Sequence, residues 1–330
     1  MTSPVLVLGS NSFSGASFIS YAMASGIDVI GCSRSDEAHP VLLPYRWGKP
    51  SASFSFHRID INRDLETLTQ LVNRVKPSII VNYAAQSMVG ESWKYPEQWM
   101  TTNVVASTAL FDRLRHFDFI DRYVHITTPE VYGSTSGFIK EDHPFNPSTP
   151  YAVSRAAGDM SLKLFIDHYQ FPAVMTRAAN IYGPGQPLYR LIPRAIFFLL
   201  TGRKLALHGG GASTRSFILA DDVSSATLAI ARHSEPGDCW HISTQRIVSI
   251  REVVEIICGR LGVRFEDAVE IVGERAGKDA AYELDSTKLR SRLGWADRVD
   301  LEAGIDATIG WVKSNLTIIK TLPVDYVHKP

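Results

Sequence analysis

Cysteine is scarce: three in 330 residues, at Cys32, Cys239 and Cys258. They lie far apart, so they form neither a disulfide framework nor metal-ligand spacing, and a reducing cytoplasm is the expected compartment. His57, His125, His208 and His241 are equally scattered, none at ligand spacing to a carboxylate or cysteine, so no catalytic metal is expected. Net charge is also missing: 34 basic residues balance 34 acidic ones. That balance excludes any general attraction to nucleic acid or to an anionic membrane, and leaves an anionic ligand to local arginines. The start lacks a basic n-region and a signal-like apolar stretch; it leads straight into Val5-Leu6-Val7-Leu8. The apolar run Ala195–Leu200 is too short to span a bilayer and reads as a buried helix face.

What is present is alternation. Short apolar runs read as strands over Val5–Leu8, Val29–Cys32, Ser78–Asn82, Tyr123–Thr127 and Ala173–Arg177. Between them Gly15–Ala24, Leu65–Val75, Asn103–His116 and Tyr151–Gln170 read as helices. Such alternation predicts an α/β fold, a doubly wound parallel sheet with helices on both faces. The C-terminal part is mixed, with helical periodicity over Val253–Leu261 and Leu301–Val312, and a turn at Gly209-Gly210-Gly211.

Three strand ends carry chemistry. The first runs into Gly9-Ser10-Asn11-Ser12-Phe13-Ser14-Gly15. A glycine turn there lets backbone N–H groups approach a pyrophosphate at a helix N-terminus. The spacing fits GxxGxxG with Ser12 in place of the middle glycine; alone it also fits an ordinary strand-to-helix connection. The second strand ends in Gly31-Cys32-Ser33-Arg34-Ser35, without the acidic residue that would bind a ribose 2′-hydroxyl. Arg34, flanked by Ser33 and Ser35, suits a 2′-phosphate and points to NADP, with NAD as the alternative. Asp60-Ile61 follows another short run and is a candidate flank for adenine. Asn82-Tyr83-Ala84-Ala85-Gln86-Ser87 ends a strand in small residues that let the backbone approach a cofactor.

Thr127-Thr128-Pro129-Glu130 places two hydroxyls and a carboxylate past a strand's C-terminal end, where open α/β sheets bind ligands. A Glu there can serve as a general base and a Thr can orient a substrate hydroxyl. Tyr151 and Arg155 stand four residues apart, on one face if the segment is helical. A cation beside a phenol favours phenolate, a base for oxidising an alcohol. The spacing alone occurs on many helix faces; its weight comes from its neighbours.

Together these segments resemble the extended short-chain dehydrogenase/reductase family, and within it the nucleotide-sugar 4,6-dehydratases. The resemblance also takes in Thr176 to Pro184, Arg215-Ser216-Phe217 leading to Asp221-Asp222-Val223, and Leu293-Gly294-Trp295. It implies a Rossmann domain over residues 1–180, with 217–245 returning to it. A smaller nucleotide-sugar-binding domain is implied over 181–216 and 246–330. It implies a tightly bound NAD(P), regenerated in each turnover, and contacts to it from Gly9, Ser12, Phe13, Gly15, Ser33, Arg34, Asp60, Ile61, Ala84, Ala85, Tyr151 and Arg155. For a nucleoside-diphosphate sugar it implies Gln86, Ser87, Thr128, Asn180, Arg215 and Arg275. In such enzymes the tyrosine takes the C4 hydroxyl proton while hydride leaves C4 for the nicotinamide. The glutamate then removes the C5 proton, water leaves C6 and hydride returns there. Tyr151, Thr128 and Glu130 match those positions, and Arg155 stands where the family has lysine. Family members commonly pair through the helix after the tyrosine, which implies a homodimer.

Three departures keep rivals open: Ser12 in the glycine turn, Pro129 and Arg155. Pro129 stands where enzymes similar to the dTDP-glucose dehydratase have an aspartic acid for the leaving oxygen, and it cannot donate a proton. GDP-mannose dehydratases lack that aspartate, as do UDP-glucuronate decarboxylases. A C4 oxidoreductase or epimerase, a decarboxylase, and an inactive dinucleotide-binding regulatory protein therefore remain alternatives to a 4,6-dehydratase.

Overall fold

The computed structural model describes residues 3–48, 51–273 and 283–329. Seven strands form one sheet: β1 (Val5–Leu8), β2 (Val29–Ser33), β3 (Phe54–Arg58), β4 (Ile79–Asn82), β5 (Arg122–Ile126), β6 (Ala173–Ala178) and β7 (Cys239–Ile242). Their order across the sheet is β7-β6-β5-β4-β1-β2-β3, and every pairing is parallel. The order reverses between β1 and β4, and ligands bind doubly wound sheets at that switch.

The strands are apolar throughout because both faces are covered. Side chains alternate between faces, so Val5 and Val7 enter one core and Leu6 and Leu8 the other. The first face is covered by α1 (Phe13–Ala24) and later by α6, the helix Ala220–His233. The second is covered by α2 (Leu65–Val75), α3 (Ser107–Leu114) and α4 (Pro150–Tyr169). A third core joins α5 (Leu191–Leu200), α7 (Ile250–Leu261) and α8 (Leu301–Ser314) to the strand Leu205–His208. The run Ala195–Leu200 is thus a helix face in that core, and α5 is apolar because its neighbours enclose it.

The elements differ from their sequence reading in two places that matter. Strand β3 replaces a short run whose burial alternates weakly, as befits the edge of the sheet. The segment read as a helix from Asn103 begins instead with a π-helical turn over Thr101–Ala106, then α3. No periodicity encodes that wide turn; it is stabilised from outside, by the hydrogen bonds of Asn103.

Candidate active site

Gly9 turns the chain at the C-terminal end of β1 with φ of +77°. A Cβ there would lie 2.6 Å from the Ala84 nitrogen and the Tyr83 carbonyl carbon, so the end of β4 can approach only a glycine. Ser12 has φ of −72° and needs no glycine. Its hydroxyl accepts from the Gly15 N–H at 3.1 Å and donates to the Gly9 carbonyl at 2.7 Å. The serine that breaks the glycine spacing is therefore the N-cap of α1. Gly15 packs against the Gly9 carbonyl, where a Cβ would come within 2.5 Å.

Beyond this turn a cavity of about 250 Å³ opens over the switch point. Its wall brings together Gly9, Ser12, Ser33, Arg34, Asp60, Ile61, Ala84, Ala85, Gln86 and Ser87. Phe13, Gly15, Tyr151 and Arg155 lie outside the wall, and the Phe13 ring faces Gly183. Asn11 locks the loop after β2: its N–H donates to Ser33 Oγ at 3.0 Å and its side-chain amide to the Ser35 and Asp36 carbonyls, both at 2.9 Å. A glycine turn at a helix N-terminus, small residues at Ala84 and Ala85, and a cavity spanning β1, β2 and β4 fit a dinucleotide.

The second half of the site stands at the end of β5. Thr128 caps a short 3-10 turn, Pro129–Tyr132, its hydroxyl accepting from the Glu130 N–H at 3.3 Å. Pro129 occupies the first position of that turn, where an N–H has no partner to lose. Thr149 caps α4 in the same manner, accepting from the Ala152 N–H at 3.1 Å, with Pro150 next. This sets Tyr151 in the first turn of α4, where the Thr128 side chain favours its phenolate. Burial pushes the Tyr151 phenol above its ordinary value of 10; Arg155 opposes this, and Glu130 adds to it.

Arg155 is 3% exposed and turns toward the sheet. Its guanidinium donates to the Ile126 carbonyl at the end of β5 and lies 3.5 Å from His125 Nε2. Burial, then the charges of Arg155 and Arg177, hold His125 well below 6.5 and so neutral. Asp159, one turn further along α4, pairs with Arg177 at 2.8 Å and takes a bond from Thr127 at 3.0 Å. The strand end that carries Thr128 is thus tied to α4 through buried charges.

A buried chain of hydrogen bonds couples the two halves. The Gln86 N–H donates to Asn103 Oδ1 at 2.9 Å, Asn103 Nδ2 donates to Ser154 Oγ at 2.9 Å, and Ser154 donates to the Tyr151 carbonyl at 2.7 Å. The π-helical turn is what points Asn103 inward. Asn180 opens the strand Asn180–Tyr182, and Arg215 lies on a two-residue strand with Nη1 donating to the Thr214 carbonyl at 2.7 Å. Neither lines the cavity. Arg275 falls outside the described residues.

Among the residues at the site that carried no sequence reading, four stand over the cleft or beside Tyr151. Tyr189, Tyr326 and Lys329 line the cavity, and Arg190 is close enough to Tyr151 to favour its phenolate. Tyr189-Arg190 follows the proline-punctuated stretch Pro184–Pro187, the only local hint of a loop over the cleft. Among the described residues no group of three His, Cys, Asp or Glu side chains can hold a metal, and no helix is long and apolar enough to cross a membrane.

The fold has known counterparts. A family model described as GDP-mannose 4,6 dehydratase matches residues 6–308. A dTDP-glucose 4,6-dehydratase of Xanthomonas campestris pv. campestris (strain B100) is 30% identical over 334 aligned positions, covering 96% of this chain and 94% of its own. The low-salt glycan biosynthesis protein Agl12 of Haloferax volcanii is 32% identical, covering 93% and 97%. The crystal structure of DesIV, a dTDP-glucose 4,6-dehydratase of Streptomyces venezuelae with NAD and TYD bound, superposes with a TM-score of 0.87 at 29% identity, covering 96% and 98%. With its parallel seven-stranded sheet, its glycine turn and a family match over nearly its whole length, this chain belongs to the GDP-mannose 4,6-dehydratase family.

Proposed function

We propose that this protein is a nucleotide-sugar 4,6-dehydratase that converts a nucleoside-diphosphate hexose into its 4-keto-6-deoxy derivative. The observation that carries the reading is the grouping of Tyr151, Thr128 and Glu130 at one strand end, joined through Asn103 and Ser154 to the wall of the dinucleotide cavity. Bound in that cavity, a nicotinamide dinucleotide supplies the hydride acceptor for the first step, the donor for the last, and a positive charge while oxidised.

Thr128 orients the sugar's C4 hydroxyl, and Tyr151 takes its proton as the carbonyl forms. Arg155 and Arg190 favour the phenolate that this step needs. The new C4 carbonyl acidifies C5, and Glu130 removes that proton. Pro129 has no proton to give, so Glu130 is the group at this strand end that can return one to the departing C6 oxygen, which leaves as water. Once C6 is reduced, C5 takes a solvent-derived proton through Glu130, and Tyr151 releases the proton it took from the C4 hydroxyl. Glu130 favours C5 chemistry over simple epimerisation at C4, which needs no base there.

The smaller lobe, over 181–216 and 246–330, is the proposed sugar-nucleotide domain, with Asn180 and Arg215 contributing to it. Arginine suits a diphosphate because its planar fork makes paired charge-assisted bonds. A homodimer in the cytoplasm accords with this reading. The test is mass spectrometry of products from dTDP-glucose, UDP-glucose and GDP-mannose. Loss of one water with a new C6 methyl is expected for one of them. A pentose product would mean decarboxylation, and an unchanged mass with altered stereochemistry would mean epimerisation.

A further inference from the structure

The chain's last segment crosses from the C-terminal lobe to the dinucleotide cavity. It lies past residue 308, where the family match ends. Arg194 holds its start, donating at 2.6 Å both to the Val324 carbonyl and to Asp325. The Tyr326 ring meets Tyr189 edge-on, with centroids 5.2 Å apart. His328 then crosses to the Rossmann side. Its ring stacks on Tyr95 at 5.0 Å and Trp99 at 5.5 Å, and its Nε2 is 2.7 Å from Gln98 Oε1. Next, the Lys329 carbonyl accepts two hydrogen bonds, from Arg34 Nη2 and from Gln86 Nε2, each at 2.9 Å.

Arg34 is the cation at the end of β2, where a doubly wound site meets the adenosine ribose. An arginine there ordinarily serves a 2′-phosphate. Here the tail places an acceptor on its guanidinium. The guanidinium has five N–H donors, but the carbonyl takes its Nη2 edge, and a phosphate oxygen brought to that edge would meet it acceptor to acceptor with no proton between them. The loop around Arg34 cannot swing aside freely, because Asn11 fixes it at Ser33, Ser35 and Asp36. The tail cannot swing aside freely either, since Arg194, Tyr189 and the aromatic pair around His328 all hold it.

We propose that this C-terminal tail is the specificity-determining element of the cofactor site, and that it selects NAD by withholding Arg34 from a 2′-phosphate. The proposal rests on the reading of the cavity as a dinucleotide site. Admission of NADP requires displacement of the Lys329 carbonyl; admission of NAD does not, because its 2′-hydroxyl makes no demand on the guanidinium.

The test is a binding titration of NAD and NADP, followed by tryptophan fluorescence and calorimetry, and needs no turnover. It compares the full chain with a chain ending at Tyr326, with His328→Ala, and with Arg34→Ala in the full and shortened backgrounds. The full chain is expected to prefer NAD by about tenfold or more, the scale of one charge-assisted bond. Shortening should raise the NADP-to-NAD affinity ratio about tenfold, and lose that gain when Arg34→Ala is added. His328→Ala, which keeps Lys329 but removes its anchor, should move the ratio in the same direction. An unchanged NADP-to-NAD ratio on shortening, or an NADP preference in the full chain, would overturn the proposal while leaving the dehydratase reading intact. Failure of the full chain to bind either dinucleotide would remove the cofactor site, and this proposal with it.

Discussion

Replacement of Arg155 separates its charge from its shape. Tyr151 and Arg155 stand one helical turn apart on α4, roughly 6 Å. Both are buried, at 8% and 3% exposure, so solvent screens them little. At an effective dielectric of about 20, two unit charges at that distance interact by about 3 kcal/mol. Each 1.4 kcal/mol is about tenfold, so Arg155→Met should lower the rate of C4 proton transfer about a hundredfold. The ascending limb of a kcat–pH profile, along which the phenolate forms, should move to higher pH, because burial then raises the Tyr151 phenol without its main opposing charge. The substitution also removes a buried charge-assisted bond to the Ile126 carbonyl, a loss of about 1.5–3 kcal/mol in stability, so urea unfolding must accompany the kinetics. Arg155→Lys retains the charge and should stay within about threefold of the parent rate. The two variants measured side by side decide the matter. If Arg155→Met keeps the parent pH limb and rate, the cation has no part in the phenol's ionisation. If Arg155→Lys is as slow as Arg155→Met, the planar contact with Ile126 and His125 matters more than the charge.

Three further outcomes are expected. Glu130→Gln should lower kcat by about 10²–10⁴-fold and abolish deuterium uptake from solvent at the sugar C5; uptake at the parent rate would remove Glu130 from the mechanism. Gly9→Ala should cost about 2–5 kcal/mol and weaken dinucleotide binding, since it combines a left-handed backbone with a 2.6 Å clash against Ala84 and Tyr83; an unchanged melting temperature would refute the close approach. Stability should fall as pH drops below about 6.5. The unfolded chain protonates His241 there, whereas burial and Arg177 hold it near 3 in the folded chain, so the unfolded state binds the extra proton across that window. The fall should reach about 1.4 kcal/mol per pH unit for each such histidine; a flat urea midpoint between pH 6.5 and 5 would contradict it.

Much of the frame was legible in the sequence because it is local. Hydrophobic runs of strand length between helical periods define a parallel sheet, and α2 begins and ends at the residues its periodicity marks, Leu65 and Val75. The glycine turn, the Thr128–Glu130 strand end and the Tyr151 helix start are likewise short segments whose caps and turns follow from neighbouring residues. Ser12 is the instructive case. As a departure from glycine spacing it looked like a defect, yet a helix cap is a local need that a serine meets.

The tertiary structure alone decided which side chains those segments face. The Asn103 turn is π-helical because Gln86 and Ser154, on other elements, take its side-chain bonds. Arg155 turns toward the sheet because the Ile126 carbonyl and His125 lie behind it. Arg34 reads as a phosphate ligand in its own pentapeptide, but it donates to a carbonyl 295 residues away. Periodicity and turn chemistry act over a few residues, and so they are written in the order of the chain. A contact between Arg34 and Lys329 exists only once a parallel sheet, a second lobe and the packing of the tail have brought the two ends together.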